Sequence, residues 1–330
     1  MKKMSWQKRS IGTLAIPGGT LLIFLLLCAI KGVPLIASAG HLQLLARSVA
    51  TVTLTSFALS LNLNSGRFDF SLGSVALLSS VISASFAVKY SLSAGQMLLI
   101  SLAAGLLLGL FSGILYVVLR LPAIITSLGV TLLYEAFAFI YTDGKGVSFG
   151  TYQNLTAFSS DIKALLLVTV ISTIFMMLAF DYSVFGYHYR ALRFGQKISC
   201  DTGLKEVGNA IGCYAISGVL MGMEGYITAC LSGTIQMSLN FGSIGVMFTA
   251  FLPMFIGSFI GRFINEHVGI VLGALTSGIL SLGFVRLGLS TETQSLVSAF
   301  VLVLFLIYLN NEYRILTFFT RKQAMKKEAA

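Results

Sequence analysis

The amino-acid sequence predicts an all-α fold, a polytopic transmembrane bundle of about ten helices, on three observations. Of the 330 residues, 56% are hydrophobic and only 10% are charged, against about 25% charged in an ordinary soluble domain. The apolar residues fall in continuous runs, such as Leu98 to Val118 and Val297 to Leu309. A membrane β-barrel, the other way to satisfy every backbone hydrogen bond in lipid, needs alternation instead. At about 20 residues per crossing, the length accommodates roughly ten spans with short loops.

Taken in chain order, the first helix spans 11–30 and follows the basic residues Lys2, Lys3, Lys8 and Arg9. With Ala37-Ser38-Ala39 behind it, this run also fits a cleaved leader, but it exceeds the roughly 7–15 apolar residues of a signal core and is read as a retained span. Apolar runs place the next four helices at 46–64, 70–89, 94–118 and 122–142. The sixth and seventh lie at 163–181 and 208–231, and the last three at 245–261, 267–286 and 294–311. The eighth and ninth are interrupted by glycines and Arg262. Gly105, Gly109 and Gly113 repeat every four residues on one face of the fourth helix, as do Gly218 with Gly222 and Gly257 with Gly261. Small residues at that spacing let helix backbones approach closely in lipid. Residues 1–330 thus form one transmembrane domain, with a basic N-terminus at 1–10, a long polar loop at 182–207 and a basic tail at 312–330. No linker, low-complexity tract or repeat divides it.

Charge sets the orientation. With an even number of spans both termini lie on one side, and most of the 22 Lys and Arg collect there: the N-terminal cluster, Arg67 and Arg120 at two tight joins, Arg190, Arg193, Lys197 and Lys205 in the long loop, Arg262, and the tail. The opposite side keeps Lys31, Arg47, Lys89, Lys145, Lys163 and Arg286. By the positive-inside rule both termini are cytoplasmic. The net charge of +10 is therefore a topology signal and not a nucleic-acid footprint. The tail from Asn311 has two readings, a topology anchor on a frayed helix end or a contact with anionic membrane lipid.

No enzyme motif is present. The chain has no G-x-x-x-x-G-K-[ST] loop to cradle nucleotide phosphates, no HExxH and no GxSxG. Cys28, Cys200, Cys213 and Cys230 lack metal-ligand spacing, and His41, His188 and His267 stand far apart at expected membrane edges. No metal and no cofactor is expected. Two carboxyl groups, Glu135 and Glu224, fall inside spans, where they must face the bundle interior or a wet cavity. Each reads either as a proton or solute site or as a structural hydrogen bond between helices. The segment Leu61 to Ser80 crowds Asn62, Asn64, Ser65, Arg67, Asp69, Ser71 and Ser74 between two apolar helices. Broken, polar backbone at membrane depth is tolerated where it lines a cavity. Asp69 or Ser71 also fits an N-cap for the third helix.

At this segment the chain resembles the membrane-spanning permease subunits of bacterial ABC importers of the ribose, xylose, arabinose and autoinducer group. Their run G-G-I-D-L-S-V-G-S stands here as Ser65-Gly66-Arg67-Phe68-Asp69-Phe70-Ser71-Leu72-Gly73-Ser74. The Asp, Ser, Gly and Ser keep register, while the first Gly and the Ile differ. Pro122-Ala123-Ile124-Ile125-Thr126-Ser127-Leu128-Gly129 is similar to the family's P-x-F-I-A-T-L-G, and Thr142-Asp143-Gly144-Lys145-Gly146 follows it. The loop opening on Phe185-Gly186 and closing on Thr202-Gly203-Leu204 leads to Tyr214-Ala215-Ile216-Ser217-Gly218, similar to Y-A-L-S-G. Together these cover most of the chain, from about 46 to 310. The sequence departs where the family has a G-Y-E-L-like acid and a glycine-rich G-G-x-S-x-x-G-G stretch. Here Phe241-Gly242-Ser243-Ile244-Gly245 and Ile256 to Arg262 lack the acid and most of the glycines, which marks a divergent member.

The resemblance implies a multi-pass protein of the bacterial inner membrane that is not itself an enzyme. It forms half of a pathway for a small polar solute, most of all a monosaccharide, with a second permease chain of like or unlike sequence. The implied partners are a cytosolic ABC ATPase and an extracellular or periplasmic solute-binding protein. Asn62, Asn64, Asp69, Ser71 and Ser74, with Thr126 and Ser127, would line or support the pathway. ATPase coupling would fall on Gln196, Lys197, Ser199, Asp201 and Gly203. Nucleosides and branched-chain amino acids are alternative solutes, and a secondary transporter using Glu135 and Glu224 is a different class.

Overall fold

The computed structural model describes residues 6–328. The chain runs through α1 (Trp6–Ile30), α2 (Ala39–Asn64), α3 (Leu72–Tyr90), α4 (Ala94–Leu119), α5 (Ala123–Tyr141), the strand β1 (Val147–Ser148) and the single turn α6 (Gln153–Thr156). It continues through α7 (Ile162–Asp181), α8 (Val184–Phe194), α9 (Gln196–Asp201), α10 (Glu206–Ser232), β2 (Thr234–Ile235), α11 (Gly245–Thr249), α12 (Phe251–Ile260), α13 (Glu266–Arg286) and α14 (Thr291–Glu328). Among the described residues, ten helical segments are long and apolar enough to cross a membrane. The expected all-α bundle is found, with one antiparallel pair added, Val147 opposite Ile235 and Ser148 opposite Thr234.

Local chemistry sets the helix ends. Ser93 and Gln96 form a reciprocal capping box at α4, and the side chains of Asp161, Ser183 and Asn265 accept from Lys163 N, Gly186 N and His267 N at the starts of α7, α8 and α13. Each satisfies a donor that the first turn leaves without an intrahelical partner. Gly233, at φ +64°, closes α10 in the left-handed conformation that glycine adopts without Cβ strain.

Five features of the helices differ from the sequence expectation, and the first is that α1 begins at Trp6 and not 11. The second helix begins at Ala39 and not 46, because its first turns carry Gly40, His41 and Gln43, which an apolar run excludes. The eighth span is assembled from three pieces, a 3-10 turn at Gly242–Ile244, α11 and α12. Pro253 supplies the reason: it has no N–H to continue α11 and its ring crowds the carbonyl of Thr249, so it sits in the first turn of a new helix. The loop at 182–207 carries two helices, α8 and α9, and α14 continues as helix to Glu328. Lys2 and Lys3 lie outside the described residues. Arg67, expected at a tight join on the basic side, is buried at 3% exposure.

The bundle centres on α2, α3 and α10, while α14 buries none of its apolar stretch. The most extensive helix contact joins α4 to α10. Glycines make it possible. A Cβ placed on Gly218 would lie 2.8 Å from the Gly109 Cα, and one on Gly105 would lie 3.0 Å from the Gly222 Cα. Ser101 Oγ donates to the Gly222 carbonyl at 2.8 Å across the same seam. A second glycine seam joins α12 to α13, where a Cβ on Gly257 would lie 2.5 Å from the Ile270 Cα. On the periphery α1 docks on α13 through the edge-to-face pair Phe24–Phe284, centroids 5.6 Å apart.

Gly109→Val should force α4 from α10 and cost about 1–3 kcal/mol or more, read as a lower unfolding midpoint in detergent. Gly18→Ala, at a position with nothing near its missing Cβ, should leave the midpoint unchanged or raise it.

Candidate functional site

The polar segment after α2 folds onto itself. Asn62 is fully buried, and its Nδ2 donates to Asp69 Oδ2 at 3.1 Å and to Ser217 Oγ of α10 at 3.3 Å. Asp69 Oδ1 accepts from Ser71 N at 2.9 Å and Ser71 Oγ at 2.6 Å, and Arg67 N donates to the Asn62 carbonyl. Asp69 therefore orders the turn into α3, while Ser71, the residue before the helix, makes no capping bond of its own. Ser74 Oγ donates to the Ser71 carbonyl, and Ser127 Oγ of α5 to the Phe68 carbonyl at 3.5 Å. Thr126 bonds back to Pro122, and Asn64 Nδ2 reaches Glu266 Oε1 of α13 at 3.3 Å. Asn62, Asp69, Ser71 and Ser127 thus come together as one buried network. Arg67 Nε and Nη2 and Asn62 Oδ1 find no partner in it among the described residues.

The two intramembrane carboxyl groups have different surroundings. Glu135, 1% exposed, accepts from Phe241 N at 3.0 Å, from Ser243 N at 2.9 Å and from Ser243 Oγ. It caps the start of the eighth span from another helix. The cap is needed because Asn240 and Phe241 both hold positive φ, 57° and 67°, a conformation strained for residues with a Cβ. Of the two readings for Glu135, the geometry is that of the structural hydrogen bond. Glu135→Ala should leave the buried Ser243 N–H and the half-buried Phe241 N–H without acceptors and lower stability by about 1–3 kcal/mol, chiefly through Ser243. Glu135→Gln, which keeps one acceptor oxygen, should lose less in the same thermal unfolding assay.

Glu224 is different. It sits on α10 at 6% exposure, and its one hydrogen-bond partner among the described residues is Thr228 Oγ1, at 2.7 Å. It lines a cavity of about 240 Å³ between α3, α10, β2 and the link into the eighth span. Ser80, Thr228, Ser232, Gln236, Ser238 and Ser243 share that lining, and none of the lining residues is basic. Two close backbone approaches frame it. Gly225 takes the Ala76 carbonyl where a Cβ would stand, and Gly73 takes the Ser243 carbonyl. Among the residues expected to line a pathway, none from Asn62 to Ser127 borders this cavity. The residues that do were partly legible, because Glu224, Thr228 and Ser232 recur every four positions and so share one helix face. Gln236 and Ser238 come from an irregular link and carry no such signal.

The long loop forms a small platform. Tyr189 of α8 donates to the Leu61 carbonyl at 3.1 Å. Arg193 pairs with Glu266 at 3.1 Å, Arg190 with Asp181 at 3.4 Å, and Asn265 Nδ2 donates to Asp181 Oδ2 at 2.6 Å. These bonds tie α8 to the ends of α2, α7 and α13. Within the segment expected to couple, Ser199 turns inward and bonds the Ala191 carbonyl at 2.9 Å, whereas Lys197, Asp201 and Gly203 are exposed; Gln196 opens α9. Phe194 and Ile198 are exposed at 86% and 73%, along with Val184 and Tyr187 on α8. Among the described residues no three His, Cys, Asp or Glu lie together as metal ligands.

The chain is similar to import permeases of other bacteria over most of its length. It is 28% identical over 284 residues to an autoinducer 2 import system permease protein of Photorhabdus laumondii, covering 82% of this chain and 79% of the relative. It is 24% identical over 285 residues to a fructose import permease protein of Rhizobium meliloti, covering 81% and 77%. The autoinducer 2 import system permease protein of Escherichia coli K12 is 26% identical over 247 residues, covering 72% and 67%. No solved structure matches. Residues 42–306 match the family described as branched-chain amino acid transport system / permease component, and the chain belongs to that family of multi-pass membrane permeases.

Proposed function

We propose that this chain is a permease subunit of an ATP-driven importer in a bacterial inner membrane, forming half of the pathway for a small, neutral, sugar-like solute. The observation that carries this reading is a family match across 42–306 on a chain with ten apolar spans and no nucleotide-binding loop of its own. Relatives named for the import of autoinducer 2 and of fructose support a sugar-like cargo. A branched-chain amino acid is less well served, since its carboxylate would meet a buried Glu224 and no basic residue in the cavity. A secondary transporter loses half of its coupling pair, because Glu135 is fully used as a helix cap.

Energy then enters through α8 and α9, with a cytosolic ATPase seated against Phe194, Lys197 and Ile198. Asp201 and Gly203 close that platform, and Ser199 holds α9 on α8. The ties from α8 to α2 and α13 carry its displacement to the polar segment at 62–74, whose residues, with Thr126 and Ser127, support the pathway from behind. A second permease chain completes the pathway, and a solute-binding protein loads it from the opposite side, with both termini of this chain on the ATPase side.

A gentle purification of the tagged chain from its native membranes should recover an ATPase; recovery of the chain alone, under conditions that keep a known importer intact, would refute the reading. Phe194→Asp combined with Ile198→Asp should leave the unfolding midpoint unchanged and reduce solute uptake at least tenfold, with ATP hydrolysis no longer stimulated by loaded binding protein.

A further inference from the structure

The Glu224 cavity has a use that the hydrogen-bond network leaves open. We propose that it is a solute subsite, in which the Glu224 carboxyl accepts hydrogen bonds from the hydroxyls of a neutral polyhydroxylated solute of monosaccharide size. The inference rests on the permease reading and names the group that selects the cargo.

Four observations converge. A buried carboxyl group is costly unless its oxygens find donors, and Glu224 has one, Thr228. Glu135 gives the contrast within the same molecule: its three donors leave it no free role. The cavity at Glu224 is about 240 Å³, below the roughly 300–1,000 Å³ of pockets that hold drug-sized ligands, and so suits a smaller molecule. Its polar lining consists of hydroxyls and an amide from Ser80, Thr228, Ser232, Gln236 and Ser238. The Ser80, Thr228 and Ser232 hydroxyl protons are taken by the Leu77 carbonyl, Glu224 and the Thr234 carbonyl, so these oxygens offer acceptors to a solute, while the Gln236 amide can donate and accept, as sugar hydroxyls do. With a carboxyl group and no basic residue in the lining, an anionic solute is disfavoured.

The walls belong to different elements. Ser80 lies on α3, Thr228 on α10, and Ser238 and Ser243 on the link whose conformation Glu135 holds. A shift of α3 against α10 would therefore change the spacing of the polar groups, so that the subsite grips in one state and releases in another. Pathway contacts of this kind need to be weak enough to let the solute leave, which fits one carboxyl group amid neutral partners.

The test uses the complete transporter in cells lacking their own uptake of the probes, which are D-ribose, D-fructose, L-leucine and ribose 5-phosphate. ATP-dependent uptake of ribose or fructose is expected. Glu224→Gln, which replaces one acceptor oxygen with a donor, should raise KM for that sugar roughly threefold to tenfold, the scale of losing one hydrogen bond, with expression and unfolding midpoint retained. Thr228→Val, which keeps side-chain shape, should raise KM by a smaller factor, and Ser80→Leu, which fills the cavity, should abolish uptake. Leu167→Ala, on an exposed apolar face of α7, should change nothing. ATP-dependent sugar uptake with unaltered KM in both Glu224→Gln and Thr228→Val overturns this subsite and leaves the importer standing. Preference for leucine or ribose 5-phosphate, or uptake of no probe by a complex that retains its ATPase, overturns the assigned solute class. Uptake that ignores ATP, with no ATPase in the complex, removes the importer reading itself.

Discussion

The packing of α4 against α10 is the contact on which the rest of the bundle depends. In lipid there is no hydrophobic gain from pairing two apolar helices, so close van der Waals contact and a few polar bonds must hold them. Gly105 and Gly109 on one helix and Gly218 and Gly222 on the other bring the backbones within reach, and Ser101 adds a hydrogen bond to the buried Gly222 carbonyl. With α10 held in this way, its opposite faces are presented to α2 and α3. Ser217 then meets Asn62, Gly225 meets Ala76, and Glu224 faces the cavity. The polar network and the cavity are thus two consequences of where one central helix is clamped.

A second constraint is that backbone breaks inside a bilayer must be satisfied by protein. The chain breaks at the turn into α3 and at the turn into the eighth span, and each break is served by an acid. Asp69 bonds the turn into α3 through Ser71, and Glu135 bonds the turn into the eighth span through Phe241 and Ser243. These two carboxyl groups are structural for the same reason: each takes donors that lipid could not. Glu224 sits in an unbroken helix with no orphan backbone donors to take up. The same residue type has a different role because the local backbone is different.

Much of the architecture could be read from residue order. Continuous apolar runs placed all ten spans, and the four-residue glycine spacing marked the faces that pack. The misjudged boundaries have local causes, the polar first turns of α2 and Pro253 between α11 and α12. The candidate site was less legible. Asn62, Asp69 and Ser71 stood out because polar residues are rare at that depth, and they do gather into one network. Gln236, Ser238 and Ser243 did not stand out, because residues in an irregular link have no period to betray them.

The sequence by itself determined that the chain lives in a membrane, how often it crosses, that it carries no nucleotide loop, and to which kind of permease it is similar. Those properties depend on composition, period and short contiguous motifs, all of which survive without coordinates. Only the tertiary structure separated Glu135 from Glu224, since both are lone acids in apolar helices until their neighbours are known. Phe241 and Ser243 lie more than a hundred positions from Glu135, and Ser80 and Gln236 border the Glu224 cavity from opposite sides in sequence. What a buried carboxyl group does is decided by which donors reach it, and that is a property of the packed bundle.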